Sequence, residues 1–177
     1  MVRTIIAAFG DVESAGSAIN ELRSAGYNPK EMTIMMKDQE AVKQVADNVG
    51  ASTTEGIVSG VTTGGMLGGL AGLLVGVGIL TIPGVGPFLA AGPLVTALGL
   101  TGAAATTVSG ATSGAIAGGL IGGLMGLGLS QDEAIVYETT IKEGGVVVAV
   151  PSRDDEGIEV IDVLERNGAS QIKQVTI

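Results

Sequence analysis

Glu133, Tyr137 and Glu138 are the residues whose types and spacing come nearest to an acid–base site. Two carboxyl groups beside a phenol could exchange protons with a substrate. However, Ser130 lies three residues before Glu133, a spacing typical of the capping box that begins a helix. Tyr137 follows one helical turn later, where an apolar ring with a polar tip suits the boundary of an apolar layer. We therefore predict a helix cap and a boundary anchor here.

Two further patterns invite a ligand-binding interpretation. Hard cations bind carboxylate oxygens, but the acidic cluster lacks the spacing of a calcium loop, so we expect a solvated helix face. This cluster comprises Asp154, Asp155, Glu156, Glu159 and Asp162. Gly84-x-Gly86 and Gly126-x-Gly128 both lack the third glycine of a dinucleotide fingerprint, which favours turns and helix packing. We expect no cofactor and no metal.

The overall composition excludes several classes of function. The 177 residues include 9 basic and 18 acidic side chains, no His and no Cys. Zinc fingers, thiol nucleophiles, disulfides and imidazole bases are therefore excluded. A formal net charge of −9 argues against a nucleic-acid partner, which needs a basic face. We expect neither an enzyme nor a small-molecule substrate.

The charged residues are confined to the two ends of the chain. All 27 lie in residues 1–55 or 132–177, and the 76 residues from Gly56 to Gln131 carry none. This distribution indicates a soluble module with a long apolar insert. We predict a first βαβ half with an additional helix at 1–55, the insert at 56–130, and a connecting helix with a second βαβ half at 131–177.

The two flanks have the same plan. In the first, strand 4–9 precedes a helix capped by Asp11 and a strand over 31–37, and Asp38 can cap a second helix. In the second, helix 131–142 precedes strand 146–150 (ended by Pro151), another helix and strand 171–177. Two such units commonly combine as a four-stranded antiparallel sheet with two helices on one face. The predicted fold class is therefore α+β, a ferredoxin-like split βαβ module interrupted by a glycine-rich apolar helical hairpin.

The insert contains a duplicated glycine zipper. Residues 58–79 and 108–129 share 12 identities in 22 positions, and a four-residue glycine period places the glycines on nearly one helix face. Bare helix faces let two backbones approach closely. We predict that these glycines form the helix-packing and oligomerisation surface: Gly60, Gly64, Gly68, Gly72, Gly76, Gly110, Gly114, Gly118, Gly122 and Gly126.

Two environments remain open for this hairpin. Each repeat would span roughly 33 Å as a helix, which matches a bilayer core of about 30 Å. Residues 81–104 would then form a re-entrant or capping turn, leaving two antiparallel spans. The insert lacks an aromatic belt and flanking Lys or Arg, which counts against a bilayer. The alternative is a soluble cytoplasmic homo-oligomer in which many hairpins form a buried core.

Four segments together resemble a known group of proteins. They are Ile82-Pro-Gly-Val-Gly-Pro-Phe-Leu-Ala-Ala-Gly-Pro-Leu94, the glycine-rich run 118–128, Glu133-Ala-x-x-Tyr-Glu138, and Gly144-Gly-Val-Val-Val148. The chain resembles bacterial general stress and heat-induced stress proteins, in which a glycine-rich apolar segment interrupts a small α/β domain. This resemblance implies a stress-related protein without known catalytic residues. With no evident cleavable signal, we expect it at the cytoplasmic face of the inner membrane, or in a soluble cytoplasmic assembly.

Overall fold

The computed structural model describes residues 3–28, 31–37, 78–82, 86–93, 115–152 and 157–176. Within these ranges the chain is mixed α+β. The strands are β1 (Arg3–Phe9), β2 (Thr33–Met36), β3 (Gly78–Ile82), β4 (Gly86–Ala91), β5 (Val146–Ser152) and β6 (Ser170–Thr176). The helices are α1 (Val12–Ser24), α2 (Ala115–Gly126), α3 (Gln131–Lys142) and α4 (Gly157–Arg166).

All six described strands belong to one sheet, in the order β3-β4-β2-β5-β1-β6. Each neighbouring pair is antiparallel. Strands from the two ends of the chain alternate across the centre of the sheet, with β5 between β2 and β1. The two flanks therefore pair as the sequence predicts, and β3 and β4 extend the sheet beyond β2.

Helices cover both faces of this sheet. The odd-numbered residues of β1, such as Ile5 and Phe9, pack in one apolar cluster with α1 and α4. The even-numbered residues, Ile6 and Ala8, pack in a second cluster with α2 and α3. Residues 146–150 of β5 are all buried because they lie between these two helical layers. This burial on both faces explains their uninterrupted apolar sequence.

Local sequence signals set the helix boundaries. The Asp11 carboxylate accepts a hydrogen bond from the Ser14 backbone N–H at 2.7 Å and caps α1, as predicted. All four described helices are followed by a glycine with positive φ. These glycines are Gly26, Gly128, Gly144 and Gly168. In each case the next backbone N–H bonds to a carbonyl five residues earlier, which reverses the chain without steric strain.

The structure corrects the predicted helical character around residue 80. The sequence predicts that Gly78 and Ile79 end the first repeat helix and that 81–104 forms a re-entrant or capping turn. Instead, residues 78–82 and 86–91 form the antiparallel strands β3 and β4, with Ile82 opposite Gly86. The reason is local: β-branched residues precede a three-residue Pro-Gly-Val connection, a sequence typical of a hairpin.

Smaller corrections concern the flanks. Pro151 does not end β5, because it lies opposite Thr4 and the strand continues to Ser152. The connecting helix occupies its predicted range, 131–142, and is confirmed. Strand β2 is shorter than predicted, at Thr33–Met36. The predicted helix after Asp38 lies outside the described residues.

Candidate functional site

Helix α2 divides its residues between two faces. Leu120 and Leu124 are fully buried in the cluster that α2 and α3 form against the sheet. At about 100° per residue, Gly118, Gly122 and Gly126 lie roughly opposite these leucines. Gly122 is half-buried and Gly126 is exposed. We call these three residues the α2 glycine face, and it points away from the sheet.

At the C-terminal end of this face, no other described part of the chain lies close to the glycine backbone. A Cβ atom added to Gly126 would meet no described atom within 4 Å. Met125, one residue earlier, is 44% exposed, although methionine is usually buried. On α3, Ile135 and Val136 are also exposed. The outer side of the α2–α3 layer therefore presents glycine backbone and apolar side chains rather than charges alone.

Tyr137 fixes α3 to the sheet. Its ring is fully buried, and its hydroxyl lies 2.7 Å from the Gln171 carbonyl and 3.2 Å from the Ile6 carbonyl, to which it donates. Between Ile6 and Ala8 the β1–β6 register shifts, and Gln171 has a φ of 50°. The phenol thus holds together two strands where a β-bulge interrupts their ladder. The predicted boundary anchor is wrong, because Tyr137 lies in the core.

Glu133 has the capping role that its spacing predicts. Its carboxylate accepts hydrogen bonds from the Ser130 backbone N–H at 2.8 Å and from the Ser130 hydroxyl, and the Glu133 N–H donates to that hydroxyl. The same carboxylate lies 2.8 Å from Lys173 Nζ on β6. The hydrogen bonds from Lys173 and Ser130 lower the pKa of Glu133 to about 2.

The electrostatic setting of Tyr137 and Glu138 also indicates structural roles. Burial, and secondarily the Glu133 charge, raises the pKa of the Tyr137 phenol above its ordinary value, so the phenol stays protonated and able to donate. Glu138 is nearly buried and pairs with Lys142 one turn later. The three residues that could have formed an acid–base site therefore have structural roles. Glu133 caps α3, Tyr137 bonds α3 to β1 and β6, and Glu138 pairs with Lys142 within the helix.

The other predicted site residues are distributed as follows. Gly60, Gly64, Gly68, Gly72, Gly76, Gly110 and Gly114 lie outside the described residues. Of the acidic cluster, Glu159 and Asp162 are exposed on α4, and residues 154–156 are not among those described. Gly86 begins β4, and Gly128 ends the turn after α2 with a φ of 97°. Within the described ranges, no three acidic side chains are grouped closely enough to hold a metal ion.

Sequence reasoning missed two features of this site. The exposed residues Met125, Ile135 and Val136 could have been found from the helical period, since each lies off the buried face of its helix. The bulge at Gln171 gives no comparable signal, because a glutamine in a polar edge strand looks ordinary.

None of the helices in the described part of the chain combines the length and apolarity that crossing a membrane requires.

Comparison with known protein families found one match, which covers less than half of the chain. Residues 4–81 match the sequence model of the Heat induced stress protein YflT domain. The match covers most of β1, all of α1 and β2, and most of β3, and it supports a relation to stress proteins. The four segments that carry the sequence resemblance all lie after residue 81, outside this match. No curated protein and no solved structure matched the chain.

Proposed function

We propose that this protein is a non-enzymatic stress protein that self-associates through the glycine faces of its repeat and forms a soluble cytoplasmic scaffold. The observation that carries the proposal is the direction of the α2 glycine face. Leu120 and Leu124 attach the helix to the sheet, which leaves the glycines on the outer side, with Gly126 exposed. A helix face without side chains permits close backbone approach by a second helix.

The family match supports the stress-related part of this proposal. The self-association part rests on the repeat and on the outward position of Gly118, Gly122 and Gly126. We further propose that β1, β2, β5 and β6, with α1 and α4, form a ferredoxin-like module that displays this surface. The antiparallel order β2-β5-β1-β6 supports that assignment.

A single substitution tests the contact surface. Gly126→Leu adds a bulky side chain where the described part of the molecule leaves open space, so the monomer should tolerate it while a neighbouring copy is displaced. We expect sedimentation to show smaller particles with an unchanged circular dichroism spectrum. Met125→Leu, which nearly conserves volume at the adjacent position, is the matched control and should leave particle size unchanged. An unaltered particle in Gly126→Leu would reject the α2 glycine face as the contact.

A membrane-associated protein at the cytoplasmic face of the inner membrane is the second candidate. The observation in its favour is the charge-free run from Gly56 to Gln131, which includes α2 and has no counterpart in an ordinary soluble domain. Cell fractionation without detergent separates the two candidates. Recovery as a discrete soluble particle supports the scaffold, whereas extraction that requires detergent supports the membrane.

A further inference from the structure

Asn167 and Gly168 form the one Asn-Gly pair in the sequence, and they lie where α4 ends against α1. The Asn167 side-chain amide donates to Glu21 Oε2 on α1 at 2.7 Å and to the Val163 carbonyl at 2.8 Å. Arg166 pairs with the other oxygen of Glu21 at 2.6 Å. Glu21 is therefore held by two neighbouring residues, one charged and one neutral.

We propose that Asn167 is a deamidation site that reacts only when the turn after α4 opens. The product carries a new negative charge at the α1–α4 contact. In this reaction the deprotonated Gly168 backbone nitrogen attacks Asn167 Cγ. The Cγ–Nδ2 bond breaks, the amide nitrogen takes up a proton from water and leaves as ammonia, and a five-membered imide remains. Water then opens the imide at either carbonyl, giving aspartate or isoaspartate. Glycine favours this attack because it has no side chain to hinder the nitrogen.

The folded chain blocks both reacting groups. The Gly168 N–H donates to the Glu165 carbonyl at 2.9 Å, so the nucleophile is engaged in the helix-ending turn. The leaving amide is engaged with Glu21 and Val163. Reaction therefore requires this turn to open, and turns at helix ends open more readily than the core does. Since unfolding becomes faster on heating, the extent of modification should increase with the time that the protein spends at denaturing temperature.

The product cannot restore the same contacts. A carboxylate at position 167 has no N–H to donate to Glu21 Oε2 or to the Val163 carbonyl. It also places a second negative charge beside Glu21 and at the negative end of the α4 dipole. The modification therefore replaces the Asn167–Glu21 hydrogen bond by a repulsion between two carboxylates, which weakens the α1–α4 contact although the Arg166–Glu21 ion pair remains. The change persists after cooling.

The gating is tested on the unmodified full-length protein. Samples are incubated at pH 8, either native or unfolded in urea, and peptides are analysed for the gain of about 1 Da that accompanies deamidation. We expect modification of Asn167 to be at least about tenfold slower in the native sample. Asn28 is the internal control, because Pro29 has no N–H and cannot form the imide. Equal rates in the two samples would overturn the gating.

The charge effect is tested with two variants. Asn167→Asp should raise the unfolding equilibrium constant about tenfold or more at pH 7, as expected when charged hydrogen bonds are lost. Adding Glu21→Gln removes one charge and supplies an amide that can donate to the new carboxylate, so it should recover most of the loss. An Asn167→Asp protein as stable as the original, or a double variant no more stable than Asn167→Asp, would overturn the repulsion. The urea comparison stands even where Asn167→Asp does not fold.

Discussion

At the scale of single residues, Tyr137 connects three of the described elements, α3, β1 and β6. Its hydroxyl donates hydrogen bonds to carbonyls of β1 and β6 at the bulge, and its ring lies in the same core cluster as residues of α2. Tyr137→Phe keeps the ring but removes the donor to the buried Ile6 carbonyl and to the part-buried Gln171 carbonyl. We expect a loss of about 1–3 kcal/mol in the free energy of unfolding, measured by urea denaturation. Thr139→Ala, at an exposed position of the same helix, should change little, and equal effects would contradict this role.

The lowered pKa of Glu133 predicts how the free energy of unfolding changes at acidic pH. Its pKa is lowered from 4.5 to about 2, so its stabilising contribution is present above the ordinary pKa and is lost as the pH falls from about 4.5 to 2. The wild-type protein should therefore lose stability faster over this interval than Glu133→Gln, as measured by thermal melts at successive pH values. Parallel curves for the two proteins would show that the contacts with Lys173 and Ser130 do not stabilise the fold.

At the scale of elements, α2 packs into the core of the domain with only one of its faces. Leu124 is fully buried, so Leu124→Ala should cost about 2–5 kcal/mol. Met125→Ala, one residue along the same helix, should cost far less because Met125 is 44% exposed. Chemical denaturation of the two variants measures the difference. Similar losses would contradict the assignment of inner and outer faces.

The attachment of β4 to β2 depends on Gly92. This residue has a φ of 115°, and a Cβ there would lie 2.2 Å from the Met32 carbonyl oxygen and 2.5 Å from Thr33 Cα. Gly92→Ala should therefore detach the β3–β4 pair, seen as faster hydrogen exchange at Ile34 and Met36, and should destabilise the protein by more than about 3 kcal/mol.

Gly128→Ala is the matched control for that substitution. Gly128 also has a positive φ, 97°, but a Cβ there would meet no described atom within 4 Å. It should show only the backbone strain, about 1–2 kcal/mol, with slow exchange retained in β2. The same exchange pattern in both variants would mean that the close approach at Gly92 does not hold β4 in place.

Sequence reasoning predicted the elements whose signals are local. The Asp11 cap, the Ser130–Glu133 capping box and the range of α3 follow from hydrogen bonds between residues three apart, which a sequence displays directly. The strands β3 and β4 were missed because the glycine period before them was extended too far. The hairpin itself had a local signal in the Pro-Gly-Val connection. The pairing of β4 with β2 had none, because Met36 and its partner Leu89 are more than 50 residues apart along the chain.

In the candidate site, too, the features that depend on tertiary contacts could not be predicted from the sequence. The sequence alone does not show which side of α2 faces the sheet. The folded structure shows that Leu120 and Leu124 pack against it, so Gly122 and Gly126 face outward. The core position of Tyr137 was likewise hidden, since its two hydrogen-bond acceptors come from opposite ends of the chain. A period places residues on a common face, but the tertiary structure decides what that face contacts.

At the scale of the whole molecule, helices cover both faces of the described sheet, and the glycine-bearing helix α2 lies in one of these outer layers. We propose that copies of this chain associate through that layer. The most direct test is the mass of the purified full-length protein in detergent-free buffer, measured by light scattering. We predict a discrete particle of several 17.5 kDa chains. A monodisperse species of one chain at all concentrations tested would contradict the claim.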